Sequence, residues 1–218
     1  MIPAVAVRKT YNQNCPVALG LDILGERWTL LILRELVGGS RRYSDLRAEL
    51  PGIATNLLAE RLRALEEAGL IQRTDMPPPI ARTVYELSDA GWCKFTPVLQ
   101  AIANFGIDQF DADNAVRTPL GGFLVGLLMG FDPSRAADIR ASYRVRVDER
   151  TFDFSIDRGE LAAGRDALAV TVEATAADLI TARLAPTAAR RQAAMRRIRF
   201  DGAGDAVAEL QQAFQLSA

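Results

Sequence analysis

The chain has 218 residues, of which 49% are apolar and 24% charged, and its formal net charge is -1. This is ordinary soluble-protein composition, and the length suits one large domain or two small ones. Residues 1–110 carry 12 basic and 12 acidic side chains, and residues 111–218 carry 14 and 15. Neither half is basic overall, so any positive surface for nucleic acid would have to be local.

Histidine is absent, which excludes His-based acid–base catalysis, most transition-metal sites and an imidazole pH switch. Cys15 and Cys93 have no metal-ligand spacing, and reduced thiols in a cytoplasm suit them best. The first seven residues (1–7) are too short for a secretory signal, and the longest apolar run, residues 120–131, falls short of the roughly 20 that a membrane span needs. We therefore expect a cytoplasmic protein with no metal, cofactor or membrane contact.

The first helical pattern opens at Cys15-Pro16 and continues to Leu36, with a break or kink predicted at Gly25. A short helix over residues 43–50 and a turn at Pro51-Gly52 follow. A longer helix over residues 53–68 then repeats leucines at helical spacing on one stripe, and Gly69 is placed to end it. The leucines of that stripe are Leu58, Leu62 and Leu65.

Residues 70–74 and 83–87 alternate as two strands around a stiff tip at residues 77–79, which are all proline. Ser88-Asp89 then caps a last helix, predicted to be interrupted or bent at Pro97. The order helix, turn, helix, two-stranded wing typically places the second helix in the DNA major groove and the wing along the backbone.

The outer face of the 53–68 helix carries side chains suited to base edges, since Asn and Arg form bidentate hydrogen bonds and small residues contact thymine methyl groups. The candidate base-reading residues are Thr55, Asn56, Ala59, Glu60 and Arg63. Phosphate contacts are expected from Arg41, Arg42, Ser44, Arg73 and Arg82. The alternative is an ordinary amphipathic helix with a solvated polar face.

The composition changes after residue 110, and residues 111–117 are the predicted linker between domains 1–110 and 118–218. A Gly-rich apolar helix follows, with a second helix start at Asp132-Pro133. Alternating patterns then predict strands at residues 143–147, 152–156 and 168–172, two helices, a short strand at 198–200 and a closing helix at 205–214. The prediction is an α+β domain with an antiparallel sheet and helices on one side.

Residues 12–108 closely resemble the HxlR-type winged-helix transcriptional regulators. The segments that carry the resemblance are CPVA (15–18), LGERWTLLILREL (24–36), RYSDL (42–46), LPGI (50–53), LAERLRALE (58–66) and YELSDAG (85–91). The resemblance implies a bacterial homodimer in which N-terminal residues and the helix after the wing form the dimer contact. Ala54-Thr55 stands where the family usually has Ser-Pro, so Thr55 must cap the recognition helix or the helix starts weakly.

Cys15 is a candidate redox sensor. A thiol at a helix N-terminus lies at the positive end of the helix dipole, which favours the reactive thiolate. Some proteins that resemble this family sense oxidants through a cysteine at the matching position. The alternative is a small apolar residue buried in the dimer contact.

Residues 118–216 resemble the sterol carrier protein fold through FDFSID (152–157), LAVTVE (168–173), DLI (178–180) and RFDGAGDAV (199–207). The resemblance implies a tunnel for an apolar small molecule between sheet and helices. The candidate ligand-binding residues are Phe123, Leu127, Phe131, Phe152, Phe154, Leu179 and Phe214. The alternative is that these residues only fill a core or mediate assembly.

These observations predict a two-domain transcriptional regulator that binds double-stranded DNA as a homodimer on a palindromic operator and responds to an apolar effector. The alternative is a lipid-binding or transfer protein whose winged helix mediates protein contacts. An enzyme is not expected, because the chain has no histidine, no paired metal ligands and no phosphate-binding glycine loop.

Overall fold

The computed structural model describes residues 10–77, 82–110, 119–164 and 167–216, with the side chains of Leu120 and Phe123 left out. The predicted linker at 111–117, two of the tip prolines (Pro78 and Pro79) and the N-terminal residues 1–7 lie outside the described residues. In the part that is described, no helix is long and apolar enough to cross a membrane.

The first predicted helical segment is two helices, α1 (Pro16–Leu24) and α2 (Thr29–Val37). The chain breaks between them at Gly25, as the sequence predicts, and Trp28 takes a left-handed conformation with φ 80° just before α2. Only Ala18 of α1 is buried, whereas most of α2 is. Helix α2 is therefore the central helix of this part of the molecule, and α1 lies on its surface.

The helix-turn-helix and wing are confirmed. Helix α3 (Tyr43–Glu49) and helix α4 (Thr55–Glu67) precede strands β2 (Ile71–Met76) and β3 (Arg82–Leu87). The leucine stripe of α4 is buried, with exposed fractions of 2% or less. Within the described residues the wing sheet also contains a strand that the sequence did not predict, β1 (Arg41–Arg42), in the order β1-β3-β2.

Helix α5 (Asp89–Gly106) is continuous through Pro97, so of the two outcomes predicted there, an interruption or a bend, the interruption does not occur. A proline inside a helix removes one backbone hydrogen bond and costs about 3 kcal/mol. Burial of Trp92, Phe95 and Leu99 against the rest of the core offsets that cost. The helix is also capped as expected, because the hydroxyl of Ser88 accepts a hydrogen bond from the backbone N–H of Gly91 at 2.9 Å.

The C-terminal part begins with α6 (Leu120–Leu128) and a 3-10 helix, Pro133–Ala136, where a second helix start was predicted. As far as the chain is described, its sheet has the strand order β6-β5-β4-β7-β8. The strands are β4 (Arg140–Val147), β5 (Arg150–Asp157), β6 (Glu160–Ala163), β7 (Leu168–Ala174) and β8 (Arg199–Gly202).

The predicted antiparallel sheet is wrong: the sheet is mixed, because β4 and β7 pair in parallel. After the β4–β5–β6 hairpins the chain returns to the free edge of β4, where β7 runs in the same direction as β4. Alternation of apolar residues identifies a strand but not its partner, which is why the sequence pattern missed this pairing.

One face of this sheet is apolar and the other is charged. The apolar face, which includes Tyr143, Val145 and Phe154, lies beneath α6, α7 (Ala176–Leu184) and α9 (Gly204–Ala213). Helix α8 (Ala188–Met195) packs against α7. The opposite face carries cross-strand ion pairs such as Arg144–Asp153 at 2.7 Å, so the strands show the two-residue alternation of a sheet covered on one side.

Helix α6 joins the two parts of the molecule by packing against α2, α5 and α7. Its contact with α2 is close at Gly121, where an added Cβ would lie 2.8 Å from Glu35 Oε1 and 3.0 Å from the carbonyl oxygen of Arg34. Helix α5 also packs against β6, and an ion pair between Glu49 of α3 and Arg150 of β5 adds a further link. The buried apolar residues consequently form one continuous cluster that reaches from α2 to the C-terminal sheet.

Candidate nucleic-acid interface and apolar cavity

The outer face of α4 is accessible to solvent. Thr55, Asn56, Glu60 and Arg63 are exposed, and Ala59 is half-buried. The side chains of Asn56 and Arg63 form no hydrogen bond or ion pair with any residue that the structure describes. Their donors and acceptors are therefore free to meet base edges in a groove.

Arg61 fixes the orientation of α4, a role that the sequence analysis missed. Its guanidinium lies 2.7 Å from Glu26 Oε2 and 2.8 Å from Glu60 Oε1. It also donates to the backbone carbonyl of Arg27 at 3.4 Å. The side chain of Arg61 is only 13% exposed, so these contacts tie α4 to the segment between α1 and α2 and partly neutralise Glu60.

Tyr43 fixes the N-terminal end of α4. Its phenolic hydroxyl, on α3, donates to the backbone carbonyl of Thr55 at 2.7 Å. Ala54 occupies the N-cap position and provides no side-chain cap, and Thr55 is the first helical residue. Thr55 therefore does not cap the helix, and the helix begins without the side-chain hydrogen bond that a Ser or Asp would supply.

The expected phosphate-binding residues differ in their exposure and in their contacts within the protein. Arg42 and Ser44 are exposed at the start of α3, whereas Arg41 is half-buried. Arg73 pairs with Asp75 at 3.3 Å, and Arg82 Nε lies 3.3 Å from Met76 Sδ. The flank of α4 and the wing therefore carry positive charge that is partly compensated by neighbouring carboxylates.

Asp75 is the main compensating group on the wing. The hydroxyl of Thr83 donates to it at 2.6 Å and lowers the pKa of its carboxyl group, and the charge of Arg73 acts in the same direction. Asp75 therefore stays ionised at neutral pH. A phosphate approaching Arg73 must compete with this carboxylate.

Cys15 is half-buried at the N-cap of α1. The backbone N–H groups of Ala18 and Val17 lower the pKa of its thiol below the ordinary value. This is the direction expected at the positive end of a helix. Cys93 is exposed on α5.

Most of the aromatic residues expected to bind a ligand pack against one another. The ring of Phe214 lies 5.1 Å from that of Phe131 and 5.5 Å from that of Phe154, and Phe152 stacks on Phe154 at 6.2 Å. All four are buried. The only cavity found beside them has about 20 Å³ among the described residues, enough for roughly one water molecule.

A cavity of about 510 Å³ lies elsewhere, at the junction of the two parts. Its walls come from α2, α5, α6 and α7. Leu127 and Leu179 line it, whereas Phe131 and Phe152 line neither cavity. Phe123 lies in α6, but its side chain is outside what the structure describes.

The described residues that line the large cavity are apolar or glycine, apart from Arg34, Gln109 and Arg183. Leu31 and Ile102 are 40% and 44% exposed, so the cavity reaches the surface between α2 and α5. Its volume falls in the range of roughly 300–1,000 Å³ that is usual for small-molecule sites. In the described ranges, no group of three or more Cys, Asp or Glu side chains could hold a metal ion.

The fold and the exposed face of α4 define a winged helix-turn-helix protein. Residues 23–114 match the model of the HxlR-like helix-turn-helix family. The chain is 35% identical over 101 residues to YvaP of Bacillus subtilis (strain 168), named as an uncharacterized HTH-type transcriptional regulator, and this match covers 46% of the chain and 93% of YvaP. The chain belongs to the HxlR-like family of HTH-type transcriptional regulators.

A second relative and a solved structure are also similar to part of the chain. The chain is 37% identical over 108 residues to sll1512 of Synechocystis sp. PCC 6803, also named as an uncharacterized HTH-type transcriptional regulator, covering 50% of the chain and 79% of that protein. A solved structure of the reduced form of the transcriptional regulator YodB from B. subtilis has 30% identity and a TM-score of 0.37, covering 45% of this chain and 95% of that one. These relatives are named as transcriptional regulators.

Proposed function

We propose that this protein regulates transcription as a homodimer that binds an inverted-repeat operator in double-stranded DNA, acts in the cytoplasm and responds to an apolar small molecule. The observation that supports DNA reading most directly is the solvent-facing side of α4. Asn56 and Arg63 present unpaired side-chain groups there, while the leucines on the opposite side anchor the helix.

Base reading is assigned to Thr55, Asn56, Ala59, Glu60 and Arg63, because a helix entering the major groove brings these positions to base edges. Arg41, Arg42, Ser44, Arg73 and Arg82 contact phosphates on either side of the groove. The internal contacts of Arg61 and Tyr43 hold α4 in place, so the reading face is set before DNA arrives.

The homodimer is supported by apolar surface on α1 and α5. Val17, Leu19 and Leu21 of α1 are 69%, 51% and 44% exposed, and Phe105 of α5 is 91% exposed. An apolar helix with a single buried residue is costly in water unless another surface covers it. A second copy of the chain related by a two-fold axis would cover both helices with the same contact on each side.

A two-fold axis also fixes the form of the operator. Two copies of α4 in successive major grooves on one side of the duplex lie roughly 34 Å apart, so the two half-sites form an inverted repeat with centres about one helical turn apart. A change in the angle between the subunits changes that distance and therefore the affinity.

The C-terminal part is the proposed effector module. Its sheet with helices on one face agrees with a sterol-carrier-like layout, although the cavity of about 510 Å³ lies against α2 and α5 rather than among the aromatic residues. A module with an apolar cavity next to the helices of the proposed dimer contact could couple binding of an effector to operator spacing.

The direct test is selection of bound duplexes from a random-sequence pool, followed by footprinting of the enriched sequence and sedimentation of the free protein. We expect an inverted repeat, a dimer, and affinity that falls steeply with salt. Arg190→Ala, which removes an exposed charge on α8, is the matched control and should bind as the wild type does. Failure to bind any duplex at low salt would instead favour a lipid-binding protein whose winged helix contacts other proteins.

A further inference from the structure

The large cavity belongs to neither part of the chain alone. One wall consists of Leu30, Leu31 and Arg34 of α2 together with the C-terminal half of α5, and the other consists of α6 and α7. A molecule bound in it would contact the winged-helix core and the C-terminal module at once. The chemistry of its lining can therefore indicate which class of molecule it takes.

Arg183, on α7, is the unusual residue of this lining. Its side chain is half-buried and forms no ion pair or hydrogen bond with any part of the chain that the structure describes. Burial lowers the pKa of its guanidinium, and no carboxylate among the described residues counteracts that effect. A guanidinium removed from water without a partner is costly, and arginines in such places are ordinarily paired with an anion.

Arg34 provides an internal comparison. It lines the same cavity, but its guanidinium lies 2.6 Å from Glu35 Oε1, and the side chain of Glu35 is fully buried. The charge of Arg34 is therefore already compensated within the protein. Of the two cationic side chains described in the lining, only Arg183 has its charge available to a ligand.

We propose that the junction cavity binds a single-chain amphiphile with a carboxylate head group, its alkyl chain against α2, α5 and α6 and its carboxylate on Arg183. This inference rests on the effector role proposed above and gives it a ligand class. The planar guanidinium forms paired hydrogen bonds with a carboxylate, and the remaining wall offers apolar contact along an alkyl chain. A neutral sterol or hydrocarbon would leave Arg183 without a partner.

The position of the cavity also gives the ligand a route to the DNA-binding surface. Ile102 of α5 lines the cavity and is 44% exposed near Phe105, which belongs to the proposed dimer contact. Leu30 and Leu31 of α2 lie in the helix whose other residues pack beneath α3 and α4. A bound chain would therefore press on both the dimer helix and the support of the reading helix.

The test is calorimetric titration of the full chain with decanoate, and with decan-1-ol as the neutral analogue, both below their aggregation concentrations. Decanoate should bind the wild type tighter than the alcohol by about tenfold to a hundredfold, the range for a hydrogen bond to a charged group. Arg183→Gln should remove that preference and leave alcohol binding unchanged, while Arg183→Lys should restore part of it. Lengthening the acid should raise affinity by about fourfold per methylene until the cavity is full.

Two variants separate the cavity from general effects. An added side chain at Gly126, which lines the cavity, would meet no atom within 4 Å of its Cβ. Gly126→Leu should therefore fold, because leucine is the better helix former, and should lose binding of both acid and alcohol. Arg190→Gln removes an exposed charge on the same domain and should bind decanoate as the wild type does.

Equal affinity for acid and alcohol in the wild type, unchanged preference in Arg183→Gln, or no binding of either probe would overturn the inference. Operator binding is measured separately on the same preparations. If decanoate binds in a way that depends on Arg183 but the protein does not bind DNA, the ligand class of the cavity is supported and the regulator proposal fails. If the protein binds its operator but not decanoate, the regulator proposal is supported and the ligand class of the cavity is wrong.

Discussion

The two parts of this molecule differ in how closely their functional surfaces follow the chain. In residues 10–110 the reading face belongs to one helix, α4, and its candidate residues lie within nine positions of one another, from Thr55 to Arg63. In residues 119–216 the candidate residues are dispersed over α6 and the segment that follows it, β5, α7 and the end of α9. The cavity also requires α2 and α5. A surface built on one helix can be inferred from periodicity, whereas a cavity between packed elements depends on how they meet.

The largest effect is expected from a substitution at the junction between the two parts. Gly121→Leu places a side chain against Glu35 and the backbone of Arg34, so α6 must move away from α2. We expect a loss of about 1–3 kcal/mol in unfolding free energy, measured with urea. Gly126→Leu on the same helix is the control and should cost little, because it meets open space. Equal stability of the two variants would mean that the close contact at Gly121 is not required.

The reading face is tested by Arg63→Ala. A guanidinium that forms paired hydrogen bonds with guanine contributes about 1–3 kcal/mol of discrimination, so the affinity for the selected operator should fall by that amount and sequence preference should relax at one position. Binding to random duplex should change much less. An equal loss on both duplexes would show that Arg63 contacts only phosphate.

Tyr143 tests whether the C-terminal core is stabilised by packing alone. Its hydroxyl is buried with no hydrogen-bond partner among the described residues, and its ring stacks on Phe154 at 5.3 Å. Tyr143→Phe keeps the ring and removes the unsatisfied hydroxyl, so the variant should be more stable by roughly 1 kcal/mol in urea at pH 7. A less stable variant would reveal a hydrogen-bond partner.

Tyr143 also makes the stability of the protein depend on pH in the alkaline range. Burial, with a smaller contribution from Glu209, raises the pKa of Tyr143 from 10.0 to about 12. The unfolded chain therefore loses this proton first, and stability should fall as pH rises from 10 towards 12. That part of the alkaline loss should be absent from Tyr143→Phe.

A smaller effect is expected on the wing. Arg82→Ala should weaken binding to all duplexes alike and reduce the slope of log affinity against log salt by about one unit. The charge-matched variant Arg190→Ala should leave the slope unchanged. A loss confined to the operator would contradict a phosphate contact.

Cys15 carries the smallest expected effect. In a Cys93→Ser background, alkylation of Cys15 should reach half its maximal rate at a lower pH in the folded protein than in urea, because the N–H groups at the start of α1 lower its pKa. If Cys15 also senses oxidants, Cys15→Ser should abolish any effect of peroxide on DNA binding. A persistent peroxide response in Cys15→Ser would exclude that role.

The winged helix was predictable because each of its signals is local. The leucine stripe identified the buried side of α4, and Gly69, with φ 70°, ends the helix as expected. The interruption considered at Pro97 does not occur, because tertiary packing holds α5 together despite the local preference against proline. Strand β1 was missed because two residues are too few to show any alternation.

From the residue order alone, the period of the apolar positions and the capping residues determined the helices of the N-terminal part, the exposed side of α4 and four strands of the C-terminal sheet, β4, β5, β7 and β8. The short strand β6 was not predicted. Only the tertiary structure decided that β7 runs parallel to β4 and that the aromatic residues fill a core. It also decided that Arg183 faces a shared cavity with no partner among the described residues. Periodicity shows which face of a helix or strand is apolar and which is polar. Which two apolar faces pack together is decided by contacts between segments far apart in the chain.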